Sequence, residues 1–316
     1  MTHQYTFLIN PAAKSGNAKQ TWQTLRTYLN EQQIEYIELI SQIPGDVQKI
    51  AQHFAESQPS EQQHLVVVGG DGTLNEAING ILLHDPQAEV PLAYLPAGSG
   101  NDFARAHGLA QEPLESLKMI LKRTQQGDPE KVDIGEYVDS KHQMHRFFVN
   151  NIGVGFDAMT VSLTNHSKYK VLLNKFGLGK VAYFSSIFRT ILLQDTFPIE
   201  VTSGEQKEYL PHAYLMTVSN HPYFGGGIKI MADANPRDGK MDLIVIENVG
   251  SKIRILYILQ RLMAGKHYSL PEVHRYTASE LEIKTGRLEH GHIDGEELGT
   301  HTFDLNLKTR PYPFWV

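Results

Sequence analysis

The sequence predicts an α/β plus β protein. An N-terminal doubly wound parallel-sheet domain is expected over residues 1–135, and a C-terminal, mostly antiparallel β-sandwich domain with inserted helices over residues 136–307. Three observations carry this prediction. Strand and helix signals alternate through the first 135 residues, and glycine-rich turns close the strands there. After Val132-Asp133-Ile134-Gly135, short strand patterns linked by turns take over. A length of 316 residues suits two domains, each large enough to bury a core without staples. The tail, residues 308–316, is expected to return to the first domain.

Tyr5–Ile9 is a short apolar run that ends at Asn10-Pro11. Ala18–Leu29 carries helical spacing, with Trp22, Leu25 and Leu29 on one face. Ile34–Ile40 returns to strand character, and Pro44 opens a helix to about Ala55. His64–Val68 reads as a buried strand stopped by Gly69-Gly70. Leu74–Leu83 is helical, and Pro91–Leu95 is a further strand closed by Pro96. Such alternation predicts a parallel sheet with ligands at the strand C-termini. In the second half, Arg146–Asn150, Pro198–Val201, Ala213–Ser219, Met241–Ile246, Glu280–Lys284 and Phe303–Leu307 read as strands, with two helical patterns between them.

Composition narrows the function classes. Hydrophobic residues make up 41% and charged residues 20%, which excludes collagen, coiled coil and wholesale disorder. The net charge of −6 argues against a nucleic-acid partner. The chain has no Cys, so thiolate-bound zinc, a thiol nucleophile and disulfides are excluded. The segment MTHQYTFLINP has no Lys or Arg before its apolar stretch and does not read as a secretory signal. No window approaches the roughly eighteen apolar residues of a membrane span. A cytoplasmic location follows by default, with any membrane contact peripheral.

The strongest local signal is Gly69-Gly70-Asp71-Gly72-Thr73-Leu74-Asn75-Glu76, between a buried strand and a helix. Glycines let backbone approach a ligand closely, and N–H groups at a helix start favour an anion. The string is neither a Walker loop nor the dinucleotide G-x-G-x-x-G. A carboxylate beside phosphates would repel them unless a cation lay between, so Asp71 points to Mg²⁺. The competing reading is a tight turn with Asp as a cap. Pro96-Ala97-Gly98-Ser99-Gly100-Asn101-Asp102-Phe103-Ala104-Arg105 repeats the layout one strand later, and Asn10-Pro11-Ala12-Ala13-Lys14-Ser15-Gly16 ends the first strand. Three such turns on one sheet edge favour a nucleotide-triphosphate site.

These strings closely resemble the catalytic domain of the diacylglycerol kinase and lipid kinase family, which includes sphingosine and ceramide kinases. The resemblance extends over nearly the whole chain through N-N-I-G-V-G-F-D at Asn150–Asp157, D-G-K-M-D at Asp238–Asp242 and I-D-G-E-E at Ile293–Glu297. GGDGT alone also occurs in NAD kinases and some phosphofructokinases; S-G-N-D-F-A-R and the late D-G-E make the match specific. The resemblance implies ATP bound by Asn10, Pro11, Ala12, Ala13, Lys14, Ser41, Gly69, Gly70, Asp71, Gly72, Thr73, Leu74, Asn75, Ser99 and Asp102. Many relatives carry Thr where this chain has Ser99. The resemblance further implies that Asp71, Asp102 and Asp133 organise catalytic Mg²⁺, and that Glu296 is the general base. A structural Mg²⁺ would be held by Asp238 with the backbone carbonyls of Asn235 and Lys240. A homodimer is an expectation of the same kind.

Read by themselves, Asp294-Gly295-Glu296 is a hairpin turn and Asn235-Pro236-Arg237-Asp238-Gly239 a loop with an Asp–Gly turn. Phosphoryl transfer to an alcohol nevertheless wants a carboxylate to take the hydroxyl proton, which favours Glu296. The 15 His residues read as surface or hydrogen-bonding groups. Neither His142 and His145 nor His290 and His292 has the i, i+4 zinc spacing with a third ligand. Gly225-Gly226-Gly227 reads equally as a loop near substrate or a plain turn.

Charge is segregated. From Ala158 to Gln194 there is no acid, only Lys168, Lys170, Lys175, Lys180 and Arg189; from Asn248 to Pro271 there are only Lys252, Arg254, Arg261 and Lys266. Both segments carry two-sided apolar helices: Val181, Phe184, Phe188, Ile191 and Leu192 in one, and Ile253, Leu256, Tyr257 and Met263 opposite Ile255, Leu259 and Leu262 in the other. They suit either buried packing or an anionic membrane face with an acyl-chain groove.

The expected function is a lipid kinase that moves the ATP γ-phosphoryl group to a lipid hydroxyl, foremost diacylglycerol to phosphatidic acid. The alternatives are an NAD kinase-like enzyme with a polar acceptor and a non-catalytic nucleotide and lipid sensor.

Overall fold

Four parallel strands open the chain because each apolar run is long enough to cross a sheet and is stopped by Gly, Pro or Asn. In the computed structural model, which describes residues 3–13, 17–166, 179–248 and 250–316, these are β1 (Gln4–Ile9), β2 (Tyr36–Ile40), β3 (Gln63–Gly69) and β4 (Leu92–Pro96). Their order is β4-β3-β1-β2, so the chain reverses direction of winding after β2. Register is parallel throughout, with Leu8 beside Leu39 on one side and beside Val67 on the other. Lys14 of the first loop, and Lys168, Lys170 and Lys175 of the first basic segment, lie outside the described residues.

Helices cover the sheet. α1 (Asn17–Glu31) lays Trp22, Leu25 and Leu29 against Phe7, Ile9 and Val66. α2 (Asp46–Glu56) and α3 (Asp71–Leu82) follow the next strands, and α4 (Asp102–Ala106) is a single short turn after β4. α5 (Pro113–Gln126) adds Leu117, Ile120 and Leu121 to the same core as α1. It carries the usual signals: the Glu112 side chain accepts from the Glu115 amide at its start, Pro113 sits in its first turn, and Gly127 takes positive φ at its end. Each such fully buried Leu or Phe contributes about 1.5–3 kcal/mol.

The second part of the chain is antiparallel. β5 (Glu130–Asp139) and β6 (Met144–Phe148) form a hairpin, and β7 (Asn151–Gly155) leads into α6 (Phe156–Asn165). α7 (Gly179–Leu193) precedes β8 (Phe197–Ser203) and β9 (Gln206–Ser219), followed by the short pair β10 (Tyr223–Phe224) and β11 (Ile228–Lys229). Then come β12 (Met241–Glu247), α8 (Lys252–Met263), β13 (Val273–Ala278), β14 (Glu280–Thr285), β15 (Glu289–Ile293), β16 (Glu296–His301) and β17 (Asp304–Phe314). The strand order is β16-β15-β7-β9-β8-β14-β17, with β12 and β13 branching from β9. One apolar core, including Phe148, Phe197, Met216, Leu243 and Phe303, lies beneath these strands. α6 is a third helix where two were expected. Its Thr, Val and Ser content hides it, because it has no polar face for a periodic pattern to reveal.

Two compact units result. The first comprises residues 1–134, Tyr223–Gly227 and Arg310–Val316; the second comprises Gly135–Pro222 and Ile228–Thr309. The chain end joins the first unit through Phe314, parallel to Leu92, and through Trp315, whose amide donates to the Leu92 carbonyl at 2.9 Å.

Candidate active site

Backbone bonds tie the strand ends of the first unit to one another. Asn10 donates to the Val68 carbonyl (3.0 Å), Ser41 to Ile9 (2.9 Å) and Ala97 to Gly69 (2.7 Å). The Asn10 side-chain amide reaches the Thr73 hydroxyl at 3.1 Å, and its carbonyl accepts from Ala12 at 3.1 Å. The described residues of the first loop, the Ser41 end, the Gly69–Asn75 turn and the Pro96–Arg105 turn therefore share one sheet edge. Pro11, Ala12 and Ala13 lie in the loop, Ser99 is exposed, and Ser41 is buried. Leu74 and Asn75 are buried as well. Leu74 belongs to the core side of α3, and Asn75 accepts from the Asn79 side chain at 3.1 Å.

The two glycine turns lie one on the other. A Cβ added at Gly98 would sit 2.5 Å from the Gly70 Cα and 2.8 Å from the Asn101 side-chain Oδ1. No residue but glycine fits there. Asn101 holds the second turn by accepting from the Gly98 amide at 3.0 Å, in a left-handed conformation that Asn tolerates.

The acidic residues are more constrained than the motifs suggest. The Asp71 carboxylate accepts from the amides of Asp102 and Phe103, both at 3.2 Å, and so caps α4. Asp102 accepts from Arg105 at 2.6 Å and from the Gly226 amide at 2.7 Å. Burial pushes its carboxyl up, while the Gly226 amide and Arg105 pull the other way. Tyr94 beneath them is raised well above the usual phenol by burial, with Asp71 and Asp102 adding to it. Asp133 is buried on β5. Asp71, Asp102 and Asp133 do not gather as a three-ligand cluster among the described residues. Backbone amides engage the Asp71 and Asp102 carboxylates, and Arg105 pairs with Asp102.

The triglycine loop packs against the second glycine turn's helix. Gly226 donates to Asp102, and Arg105 lies 5.7 Å from the Tyr223 ring centre, so Tyr223–Gly227 packs beside α4. Sequence reasoning quoted both Arg105, in S-G-N-D-F-A-R, and Gly226, in the triglycine loop, but not their shared contact with Asp102, which joins residues far apart in sequence.

These residues fit a metal-bound triphosphate. The Gly70–Gly98 contact removes side-chain bulk from the edge, and Gly70 stands in the cap position before α3 with no side chain to engage the helix N–H groups. Two carboxylates stand beside that helix start, a donor set that suits a hard divalent ion bridged by water.

In the second unit, Glu296 opens β16. Desolvation raises its carboxyl even though its surface is exposed, with Arg146 acting in the opposite sense. Its neighbour Asp294 is structural, since its carboxylate accepts from the amides of Val149 (2.8 Å), Asn150 (2.9 Å) and Asn151 (2.9 Å). Asp157 and His292 form a buried pair at 3.2 Å. In the expected structural-metal loop, Asp238 accepts from the Lys240 amide (3.1 Å) and Asn235 from the Arg237 amide (3.2 Å), both ordinary Asx turns.

Two histidines far apart in sequence meet beside one carboxylate. His142 and His301, with Asp139, bring one ligand atom each within 4.8 Å of one another, and no other described group of three does so. The third ligand comes from a distant strand, so no spacing rule could find it.

Comparison with known proteins agrees with the geometry. The model of the diacylglycerol kinase catalytic domain matches residues 4–137, and that of the YegS C-terminal NAD kinase beta sandwich-like domain matches residues 150–312. The chain is 27% identical to "Putative lipid kinase YtlR" of Bacillus subtilis (strain 168), covering 98% of each. It is 23% identical to a diacylglycerol kinase of Mycobacterium tuberculosis, over 88% of this chain and 84% of the other. A crystal structure described as a "putative diacylglycerol kinase" from Bacillus anthracis str. Sterne shares the fold, with a TM-score of 0.75 at 24% identity, covering 99% of this chain and 97% of that one. The glycine-lined edge, its acidic turns and both matched domains agree: the chain belongs to the diacylglycerol kinase family of lipid kinases.

Proposed function

We propose that this chain transfers the γ-phosphoryl group of ATP to a lipid hydroxyl, with diacylglycerol as acceptor and phosphatidic acid as product. The observation that carries this reading is the shared edge of the first unit, where two glycine turns cross and Asp71 stands at the start of α3. The backbone N–H groups of the Gly69–Asn75 turn, the Asn10 side chain and the Ser99 hydroxyl bind the triphosphate. Asp71 and Asp102 would hold Mg²⁺, which would supply neutralisation of phosphate charge. Glu296 takes the proton of the lipid hydroxyl as its oxygen bonds to the γ-phosphorus and the bond to ADP breaks. A carboxyl raised by desolvation is a stronger base than an ordinary one, which suits that role.

The acceptor is reached at a membrane. No described helix is long and apolar enough to cross one. α8 instead buries Ile255, Ile258 and Leu262 and leaves Ile253, Leu256, Tyr257 and Met263 exposed. α7 likewise exposes Phe188, Leu192 and Leu193, and Lys252 of α8 donates to the Gln194 carbonyl just beyond it. Apolar side chains next to Arg189, Lys252 and Lys266 suit the anionic, cytoplasmic face of a bilayer.

The test is radiolabelled ATP with a panel of lipid alcohols and NAD. Label in diacylglycerol is expected, lowered on the order of 10²–10⁴-fold in Glu296→Gln with nucleotide binding retained. Label in NAD, or in no lipid, overturns the reading.

A further inference from the structure

The second unit contains a cluster that phosphoryl transfer does not use. Asp139 ends β5, His142 lies in the tight turn to β6, and His301 ends β16. The Asp139 side chain is 0% exposed, and one of its oxygens stands 3.0 Å from His142 Nδ1. Its other oxygen accepts from the amides of Lys141 (2.9 Å) and His142 (3.1 Å), which fixes the carboxylate in place. The rings of His142 and His301 lie 4.0 Å apart, and Phe303 packs 4.0 Å from His301 on another side.

His301 supplies a second, independent observation. Its Nδ1 lies 3.1 Å from the Thr302 carbonyl oxygen and its Nε2 lies 3.2 Å from the Leu298 carbonyl oxygen. A neutral imidazole has one N–H to donate. Only one of the two contacts can therefore be a hydrogen bond, and the other ring nitrogen keeps a lone pair to offer a ligand.

We propose that Asp139, His142 and His301 bind a divalent transition-metal ion of the Zn²⁺ type, which staples the β5–β6 hairpin to the end of β16. Two imidazoles and one carboxylate are borderline ligands that suit Zn²⁺ and its first-row neighbours. Mg²⁺ and Ca²⁺, which prefer oxygen, are poorly served by such a set. Three protein ligands and the partly exposed His142 leave a coordination position for water. The role is structural: the ion crosslinks segments that side chains already bring together, such as Lys141 of the hairpin turn donating to the Thr302 hydroxyl just after β16.

The experiment titrates Zn²⁺ into chelator-treated full-length protein by calorimetry, with excess Mg²⁺ present. Co²⁺ absorption and thermal melting are read alongside. One tight Zn²⁺ site per chain, a rise in melting temperature and tetrahedral Co²⁺ bands are expected. Asp139→Asn keeps an oxygen for the two amides but removes the charge, and His301→Gln removes a ring. Each should weaken Zn²⁺ by more than the roughly 10–100-fold that loss of an outer partner costs, and abolish the melting shift. His142→Gln, at a partly exposed position, carries the test if either variant fails to fold. Absence of saturable uptake, or equal uptake in all variants through the other histidines, overturns the site. Either result leaves the kinase reading untouched.

Discussion

Single side chains in this protein often serve the backbone before they serve chemistry. Asp294, in the motif that carries Glu296, shows this most clearly. It accepts three amides from the β6–β7 corner, and its own φ of 48° lies in the left-handed region. Asp294→Ala leaves those donors without their acceptor and strains the backbone. The expected loss is about 2–4 kcal/mol by chemical denaturation. Asp294→Asn, which keeps one acceptor and tolerates that φ, should lose less. Equal stability of all three proteins would mean the amides find other partners. Asp71 and Asp102 follow the same logic, since both engage amides that position α4 and the triglycine loop.

At the scale of elements, the glycine turns and the two apolar helices are the parts with consequences. Gly98→Ala drives a methyl into Gly70. It should cost about 1–3 kcal/mol by overpacking and weaken nucleotide binding, measured by thermal melting and nucleotide titration. Unchanged values in both would show that the crossing is not needed. α8 has one buried and one exposed apolar face, with Ile253 79% exposed. Ile253→Asp should reduce sedimentation with phosphatidylglycerol-containing vesicles several-fold while leaving the melting temperature within a degree or two of the parent. An unchanged vesicle-bound fraction would remove α8 from the membrane face. Arg254 contributes little positive charge there, because Glu272 holds it at 2.6 and 3.0 Å.

For the molecule as a whole, buried histidines set the acid limit. Desolvation lowers His64 from 6.5 to about 4, with nearby His3 adding to the effect, and desolvation lowers His221 likewise to about 4. The unfolded chain binds these protons below about pH 6.5, whereas the folded chain resists them until about pH 4. The unfolded state therefore holds more protons in that window, and stability falls as pH falls through it. The contribution is on the order of 2–3 kcal/mol for each histidine. Denaturation midpoints measured from pH 7.5 to 4.5 should drop steadily, and less steeply in His64→Phe, where the titrating ring is gone. A parallel drop in both would assign the loss to other groups.

Local signals were enough for the parallel sheet, because apolar runs such as His64–Val68 end at residues that break strands. They were enough for the glycine turns too, where a string of neighbours carries the geometry. α5 was not among the expected helices although Pro113 and Gly127 mark its ends, and α6 had no polar face for periodicity to reveal. Contacts between residues far apart in sequence were invisible: Gly226 on Asp102, Asp294 on the β6–β7 corner, Asp157 on His292, and His301 beside Asp139 and His142. Sequence patterns record what neighbours along the chain do together. Which distant groups share a carboxylate depends on how strands are ordered, and only the folded chain decides that.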